Sequence, residues 1–203
     1  MVRKLKALWY SIKCRIVRDT EIDNRHKKRF GAFGEHSAIM WPVKLHSGLE
    51  NVFVGSGTII LSHSRLQTYN LSGNEKGSIV IGDGCYIGFN FTVLSADGKH
   101  VKIGDQVLIA SDVLISNENH GIDPESDIPY MDQSLIAKSV EIGDGSWIGE
   151  KVCILPGVTV GKKSIIGAGS VVTRDIPPYS IAVGNPARVI KQYNFSTHCW
   201  EKV

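Results

Sequence analysis

The chain has 203 residues with 42% hydrophobic and 21% charged side chains, which favours one domain with ample material for a core. Its formal net charge of +3 gives no reason to expect a nucleic-acid partner, and no apolar run of about 18 residues is present to span a membrane. The four cysteines contain no CxxC pair, which is typical of free thiols in a reducing compartment, so we expect a cytoplasmic protein.

The first segment, residues 1–30, differs from the rest in its charge and its periodicity. Its apolar residues fall at helical spacing on one face, which predicts a basic amphipathic helix; they are Leu5, Leu8, Trp9, Ile12, Ile16 and Val17. Two roles for this helix stay open. It either caps the end of the repeat structure that follows, or it rests on the inner face of an anionic membrane as a peripheral contact.

Residues 31–176 carry a six-residue repeat that is clearest from Val140 to Val172. Aliphatic residues recur there at every sixth position, namely Ile142, Ile148, Ile154, Val160, Ile166 and Val172. This period fits neither a helix nor an ordinary hairpin. Six-residue repeats are typical of a parallel β-helix, an all-β solenoid in which three hexads form one triangular coil.

An interruption of the repeat locates a long loop. Ile103 and Ile142 hold equivalent positions in successive coils but lie 39 residues apart, which is 21 more than the 18 of an uninterrupted coil. The extra residues predict a loop that protrudes from the solenoid at about 120–139. Insertions of this kind often form the binding face of a solenoid, so we expect the chemistry to lie near this loop.

Residues 177–203 form a predicted C-terminal extension. Pro177 and Pro178 end the repeat because consecutive prolines cannot donate the hydrogen bonds of a sheet. The segment Ala187–Tyr193 is interpreted as a short C-terminal helix.

Several motifs together with the repeat resemble one family of enzymes. They are the histidine in Asn117–Pro124, the run Trp147-Ile148-Gly149, the closing run Ile166–Pro178 and the segment Val183–Arg188. Over residues 52–191 the chain resembles the left-handed parallel β-helix acyltransferases, especially the galactoside and maltose O-acetyltransferases and the bacterial polysaccharide O-acetyltransferases. The resemblance implies a left-handed coil, acetyl-CoA as acyl donor without a metal, and a homotrimer with active sites between subunits.

His120 is the candidate catalytic residue. An imidazole with a pKa near neutrality can take the proton of an attacking hydroxyl and then protonate the departing thiolate. The resemblance places the family's catalytic histidine at this position. Asn117, Glu118 and backbone carbonyls are the candidates for the group that orients the ring.

The resemblance also implies two residues that bind the acceptor, Asn90 and Asp97. An amide offers both a donor and an acceptor to a sugar hydroxyl, and a carboxylate accepts from one. The alternative interpretation is structural, because Asn is a favoured corner residue and Asp97 lies in a loop.

The residues expected to bind acetyl-CoA match a further set of family positions. Trp147 would line the slot beside the thioester, and the small residues of the set would let the pantetheine arm lie close to the backbone. Guanidinium groups pair with phosphates, which favours the two arginines as ligands of the nucleotide. The full set is Trp147, Gly149, Ala168, Gly169, Arg174 and Arg188.

The reaction predicted from these features is direct transfer of an acetyl group to a hydroxyl of a sugar or surface-glycan precursor. N-acetylation of an amino-sugar nucleotide and acetylation of an antibiotic are the alternatives. A zinc-dependent γ-type carbonic anhydrase needs three histidines around one metal ion, and His63, His100 and His120 show no paired motif. A non-catalytic solenoid scaffold would leave His120 and the two arginines without a role.

Overall fold

The computed structural model describes residues 24–40, 42–70 and 75–203. The helix predicted for residues 1–30 falls mostly outside this part of the chain, where only a 3₁₀ helix at Asn24–Arg29 is described. No helix among the described residues is long and apolar enough to cross a membrane.

The chain winds into a left-handed parallel β-helix with three sheets, as the repeat and the family resemblance predicted. Sheet A contains β1 (Ala32–Phe33), β4 (Val52–Val54), β7 (Ser78–Ile81), β10 (His100–Ile103), β15 (Val140–Ile142) and β18 (Thr159–Val160). Sheet B begins with β2 (Ala38–Ile39), β5 (Ile59–Ile60), β8 (Tyr86–Ile87), β11 (Leu108–Ile109), β16 (Trp147–Ile148) and β19 (Ile165–Ile166). Sheet C contains β3 (Leu45–Ser47), β6 (Arg65–Tyr69), β9 (Thr92–Ala96), β12 (Leu114–Ser116), β17 (Cys153–Ile154) and β20 (Val171–Val172). A second 3₁₀ helix, Leu49–Asn51, lies between β3 and β4.

The core is a column of aliphatic side chains inside the coil. The six residues that define the repeat between Ile142 and Val172 are each at most 2% exposed. Their strands pair in register with the neighbouring coils, for example Ile103 with Ile142 and Ile148 with Ile166. Burying one such side chain contributes about 1.5–3 kcal/mol, so each hexad contributes its own share of stability.

Two edges of the solenoid border sheet C, and the predicted site residues lie on or beside them. The B–C edge is the corner where the chain leaves sheet B and enters sheet C, at residues 61–64, 88–91, 110–113, 149–152 and 167–170. The C–A edge is the opposite corner, at residues 70, 75–77, 97–99, 117–139, 155–158 and 173–175. Strands β6 and β9 have five residues each, so the two edges lie about 17 Å apart at roughly 3.3 Å per residue.

The long loop leaves the solenoid at the C–A edge. Its base is a small antiparallel pair, β13 (Glu118–Asn119) with β14 (Ile136–Ala137). The amide of Lys138 donates to the carbonyl of Asn117 at 2.7 Å, which closes the loop where the solenoid resumes.

The short helix predicted at Ala187–Tyr193 is wrong, because this segment is a strand. Sheet B continues through β21 (Ser180–Gly184), β22 (Ala187–Asn194) and β23 (Cys199–Lys202). β21 pairs in parallel with β19, and β22 and β23 then add as an antiparallel meander. An open sheet edge offers unpaired backbone groups, and pairing with it outweighs the helical preference of a short segment.

Candidate active site

His120 lies at the mouth of the long loop. It directly follows β13 at the C–A edge, and its side chain is exposed. Within the described part of the chain, the imidazole ring makes no recorded hydrogen bond. The ring is therefore open to an acceptor molecule and to an orienting group.

Asn117 fixes the backbone from which His120 projects. Its side chain is fully buried; its Oδ1 accepts from the amide of Ala96 at 2.9 Å, and its Nδ2 donates to Oγ of Ser95 at 3.1 Å. These bonds tie the base of the loop to the neighbouring coil. A buried side chain committed in this way cannot also orient the imidazole, so Asn117 is removed from the three candidates.

Glu118 has a partner that the sequence did not reveal. The hydroxyl of Tyr69 donates to Oε1 of Glu118 at 2.7 Å across 49 residues of sequence. Burial of the half-buried phenol, followed by this hydrogen bond, raises the pKa of Tyr69 well above its ordinary value. Tyr69 is therefore a hydrogen-bond donor throughout the physiological pH range. The sequence motifs did not single out Tyr69, which the structure places at the end of strand β6.

Asp97 lies beside this pair. It occupies the turn after β9 in the left-handed region, with φ of 51°, and its amide donates to the carbonyl of Tyr69 at 3.4 Å. The Asp97 carboxylate is also close enough to make a small contribution to the raised pKa of Tyr69. The structure thus brings Asp97, Tyr69, Glu118 and His120 together on the C–A edge.

Asn90 lies at the other end of the same strand as Asp97. It sits on the B–C edge with φ of 61°, in a column of left-handed corner residues that includes Asp112. Its Nδ2 donates to Oδ1 of Asp112 in the next coil. Within one chain, Asn90 and Asp97 are separated by the full length of β9 and cannot hold the same small acceptor.

Four of the predicted acetyl-CoA residues form one patch beside the B–C edge. Trp147 points outward from sheet B and is 49% exposed. Gly149 follows two residues later against the next coil, where an added Cβ would lie 2.7 Å from the amide nitrogen of Ala168. Ala168 and Gly169 are exposed at the same corner. This close backbone approach explains why a small residue is needed at Gly149.

The two arginines are separated. Arg188 is exposed and pairs with Val183 across β21 and β22, which places it near the B–C edge. Val183 in turn meets Gly167, next to the patch of small residues. Arg174 is exposed two residues after β20, on the C–A edge. The structure therefore joins Arg188, but not Arg174, to the patch around Trp147.

The predicted site residues sort into two groups on opposite edges of sheet C. The C–A group contains Asp97, His120 and Arg174. The B–C group contains Asn90, Trp147, Gly149, Ala168, Gly169 and Arg188. Each group therefore contains residues with both predicted roles, since Asn90 lies with the acetyl-CoA patch and Arg174 lies with His120. Within a single chain, His120 does not meet the patch around Trp147.

Among residues 24–40, 42–70 and 75–203, no three His, Cys, Asp or Glu side chains are placed to hold a metal ion. His63 is on the B–C edge and His120 is on the C–A edge. His100 lies in sheet A, where its Nε2 is 3.2 Å from Oε1 of Glu141. The three histidines required for a carbonic anhydrase site are therefore on three different sides of the coil.

Residues 139–174 match the family described as bacterial transferase hexapeptide (six repeats). The chain is 44% identical over 117 residues to a galactoside O-acetyltransferase of Escherichia coli, which covers 58% of this chain and 55% of that protein. It is 39% identical over 133 residues to a putative lipopolysaccharide biosynthesis O-acetyl transferase, WbbJ, of Escherichia coli, which covers 63% of this chain and 67% of that protein. A solved galactoside acetyltransferase in complex with coenzyme A superposes with a TM-score of 0.55 at 33% identity, covering 83% of this chain and 68% of that chain. The matched region thus spans little more than half the length of the galactoside enzyme's sequence and about two thirds of WbbJ.

Proposed function

This chain belongs to the bacterial hexapeptide transferase family, and on that premise we propose that it is an acetyl-CoA-dependent O-acetyltransferase acting on a sugar or surface-glycan precursor. The observation that carries the proposal is the exposed His120 at the mouth of the long loop, in a chain whose relatives are named O-acetyltransferases. The fold alone does not identify the reaction, so the proposal of acetyl transfer depends on His120.

His120 performs the proton transfers of the proposed reaction. One ring nitrogen takes the proton of the acceptor hydroxyl while its oxygen attacks the thioester carbonyl carbon. The tetrahedral intermediate then expels the coenzyme A thiolate, and the imidazolium gives its proton to that sulfur. One C–O bond forms and one C–S bond breaks, and the histidine returns to its neutral state. No acyl-enzyme is required.

The acetyl-CoA slot is proposed for the B–C group. Gly149 and Gly169 lack side chains, so an extended pantetheine arm can approach the backbone of two coils. Trp147 offers an exposed aromatic face beside this track. Arg188 then supplies the positive charge for the phosphates. The resemblance to a family that uses acetyl-CoA supports this assignment, as does the structural similarity to an acetyltransferase that holds coenzyme A.

The acceptor is proposed to bind at the C–A group. Asp97 and Glu118 carry negative charge there, and the loop adds Asp123, Glu125 and Asp127. Such a surface favours an uncharged sugar over an anionic one, because like charges repel in the weakly screened mouth of a site. The Tyr69 oxygen and the carboxylates can accept the hydrogen bonds that the hydroxyl groups of a sugar donate.

A second copy of the chain is needed to complete this site. The B–C group of one subunit can meet the C–A group of its neighbour across a repeated head-to-tail interface, and such an interface forms a ring when its rotation closes. We therefore propose a homotrimer with three active sites between subunits, as the family resemblance implied. Light scattering on the purified protein should give three times the mass of one chain.

The cytoplasm is the proposed compartment, since the acetyl-CoA pool and the free thiols both fit it. Contact of residues 1–30 with the inner membrane face stays a prediction, and it would bring the enzyme to a lipid-linked acceptor.

The test combines binding and turnover on the full-length protein. Calorimetric titration of acetyl-CoA should show saturable binding that Arg188→Ala weakens. Release of free thiol in the presence of neutral sugars should be abolished in His120→Ala but kept in His198→Asn, which changes an exposed histidine far from the site. An amino-sugar nucleotide in the same screen decides between O- and N-acetylation. Absence of acetyl-CoA binding at millimolar concentration would refute the proposal.

A further inference from the structure

We propose that Glu118 is a positioning residue that orients the imidazole of His120, and that Tyr69 is a second positioning residue that holds Glu118 in place. This inference rests on the proposed function, because it assigns His120 the role of base. In the sequence, Glu118 was one of several candidates for the orienting group, and Tyr69 was not among the predicted site residues.

The position of Glu118 favours this role. Glu118 and His120 are two residues apart at the base of the same hairpin, so their Cα atoms lie at most about 7 Å apart. Asn117 is excluded because its side chain is buried and committed to the neighbouring coil. Glu118 has one carboxylate oxygen bound to Tyr69, whereas its Oε2 accepts no hydrogen bond recorded among the described residues. That oxygen is available for the N–H of an imidazole ring.

Tyr69 gives the carboxylate a fixed direction. The phenol is half-buried, and it stands at the end of β6, in register with Ala96. The preceding residue, Thr68, is buried and donates from Oγ1 to the carbonyl of Gly48 at 2.6 Å, which anchors this strand. The Tyr69 hydroxyl at 2.7 Å therefore holds one oxygen of Glu118 and leaves the other oxygen for a second donor. Charged groups near the phenol are Arg65, Asp97 and Glu118 itself.

The consequence for catalysis is the choice of tautomer. If Glu118 accepts from Nδ1–H of His120, then Nε2 carries the lone pair and can take the acceptor's proton. In Glu118→Gln the amide oxygen stays bound to Tyr69, so the NH₂ group faces the ring. The ring must then accept at Nδ1 and carry its proton on Nε2, which removes the base. Glu118→Gln therefore inverts the tautomer without changing the size of the side chain.

Long-range ¹H–¹⁵N spectra of the ¹⁵N-histidine-labelled full chain test this directly. The seven histidines give separate signals, and those of His120 are the ones missing in His120→Ala. We expect one dominant Nδ1–H tautomer in the wild type, the Nε2–H tautomer in Glu118→Gln and a mixture in Tyr69→Phe. Glu141→Gln is the matched control, since its partner is His100 and it should leave the His120 signals unchanged.

Kinetics supply the second measurement. Glu118→Gln should lower kcat by about 100-fold or more, the size of a general-base contribution. Tyr69→Phe should lower kcat roughly tenfold, as expected for one hydrogen bond to a charged group, with KM for acetyl-CoA unchanged. Tyr193→Phe, in the C-terminal aromatic cluster, should leave both parameters unchanged.

The inference would be overturned if the His120 tautomer were unchanged in both variants and only the melting temperature fell. The hydrogen bond between Tyr69 and Glu118 would then have a purely structural role. Failure of the proposed function is a separate result. If the wild type transfers no acetyl group but Glu118→Gln still inverts the tautomer of His120, the positioning inference stands and the proposed function is refuted.

Discussion

Replacing Asn117 with Ala should destabilise the protein far more than the same change two positions along at Asn119. Asn117 is fully buried and its Oδ1 accepts from the amide of Ala96 at 2.9 Å. Asn119 is exposed, and no hydrogen bond of its side chain is recorded among the described residues. Because both asparagines flank the same loop mouth and undergo the same substitution, a difference in stability between the two variants reports the burial and hydrogen bonds of Asn117.

The magnitude follows from the groups left behind. In Asn117→Ala the amide of Ala96 loses its acceptor inside the coil, which costs about 1–3 kcal/mol. Ser95 loses the second partner of its hydroxyl but keeps its bond to the carbonyl of Lys99 at 3.1 Å, so it adds little. The cavity left by the amide adds roughly 1 kcal/mol more. We expect a loss of about 2–4 kcal/mol for Asn117→Ala and within about 0.5 kcal/mol of zero for Asn119→Ala.

Urea unfolding followed by circular dichroism, at fixed protein concentration, measures both free energies. For a chain of this length the expected loss lowers Tm by roughly 4–16 °C. Equal stability of the two variants would refute the reasoning, because it would mean that water or a rearranged loop satisfies the amide of Ala96. A loss of acetyl transfer in Asn117→Ala should accompany the loss of stability, since the base of the loop carries His120.

Three further outcomes are expected. Gly149→Val should abolish acetyl-CoA binding in calorimetry and lower Tm, because an added Cβ lies 2.8 Å from the carbonyl oxygen of Ile166 in the next coil. In Gly169→Ala the added Cβ meets nothing within 4 Å, so the variant should lose only the roughly 1–2 kcal/mol that a left-handed backbone costs a residue with a side chain. Trp147→Ala should weaken acetyl-CoA binding with little change in Tm, and Leu108→Ala, 42% exposed one coil earlier in the same column, should leave binding intact. Burial raises the pKa of the Cys85 thiol, so its contribution to stability is complete below the ordinary thiol pKa and is lost as pH rises above it. Urea unfolding at pH values between the ordinary thiol and tyrosine pKa values should show a steeper loss of stability in the wild type than in Cys85→Ala, which keeps the raised pKa of Tyr69.

The solenoid was predictable because its signal is local and repeated. Ile142, Ile148 and Ile154 each face the same interior, so one hexad predicts the environment of the next. The C-terminal strand was not predictable in this way. Ala187–Asn194 follows the repeat, and its structure depends on an open sheet edge that the segment itself does not encode.

The arrangement of the candidate site residues was only partly predictable from the sequence, and their roles stay a prediction. Tyr69 and Glu118 are 49 residues apart, and the irregular excursion after Tyr69 hides their shared edge from the repeat arithmetic. Asn90 pairs with Asp112 because both hold the same corner of successive coils, which is visible only once the corners are aligned. By contrast, the sorting into two edges could be predicted by counting hexads, because Asn90 follows β8 of sheet B and His120 lies in the insertion after β12 of sheet C.

The division of the site between two edges leads to a complementation test. His120→Ala inactivates only the C–A edge, and the double variant Trp147→Ala/Arg188→Ala inactivates only the B–C edge. Each variant alone should be inactive. The two variants are mixed in equal amounts, unfolded together and refolded. In the refolded mixture, an interface holds an intact site when the C–A edge of one subunit and the B–C edge of its neighbour both carry the wild-type residues.

Random assembly makes this true for about a quarter of the interfaces, because each of the two edges is sound in half of the chains. The mixture should therefore recover about a quarter of the wild-type acetyl transfer. A site contained within one chain would give no recovery, since every chain in the mixture carries one inactive edge. That result would place donor and acceptor on the same subunit and would remove the reason for a trimer.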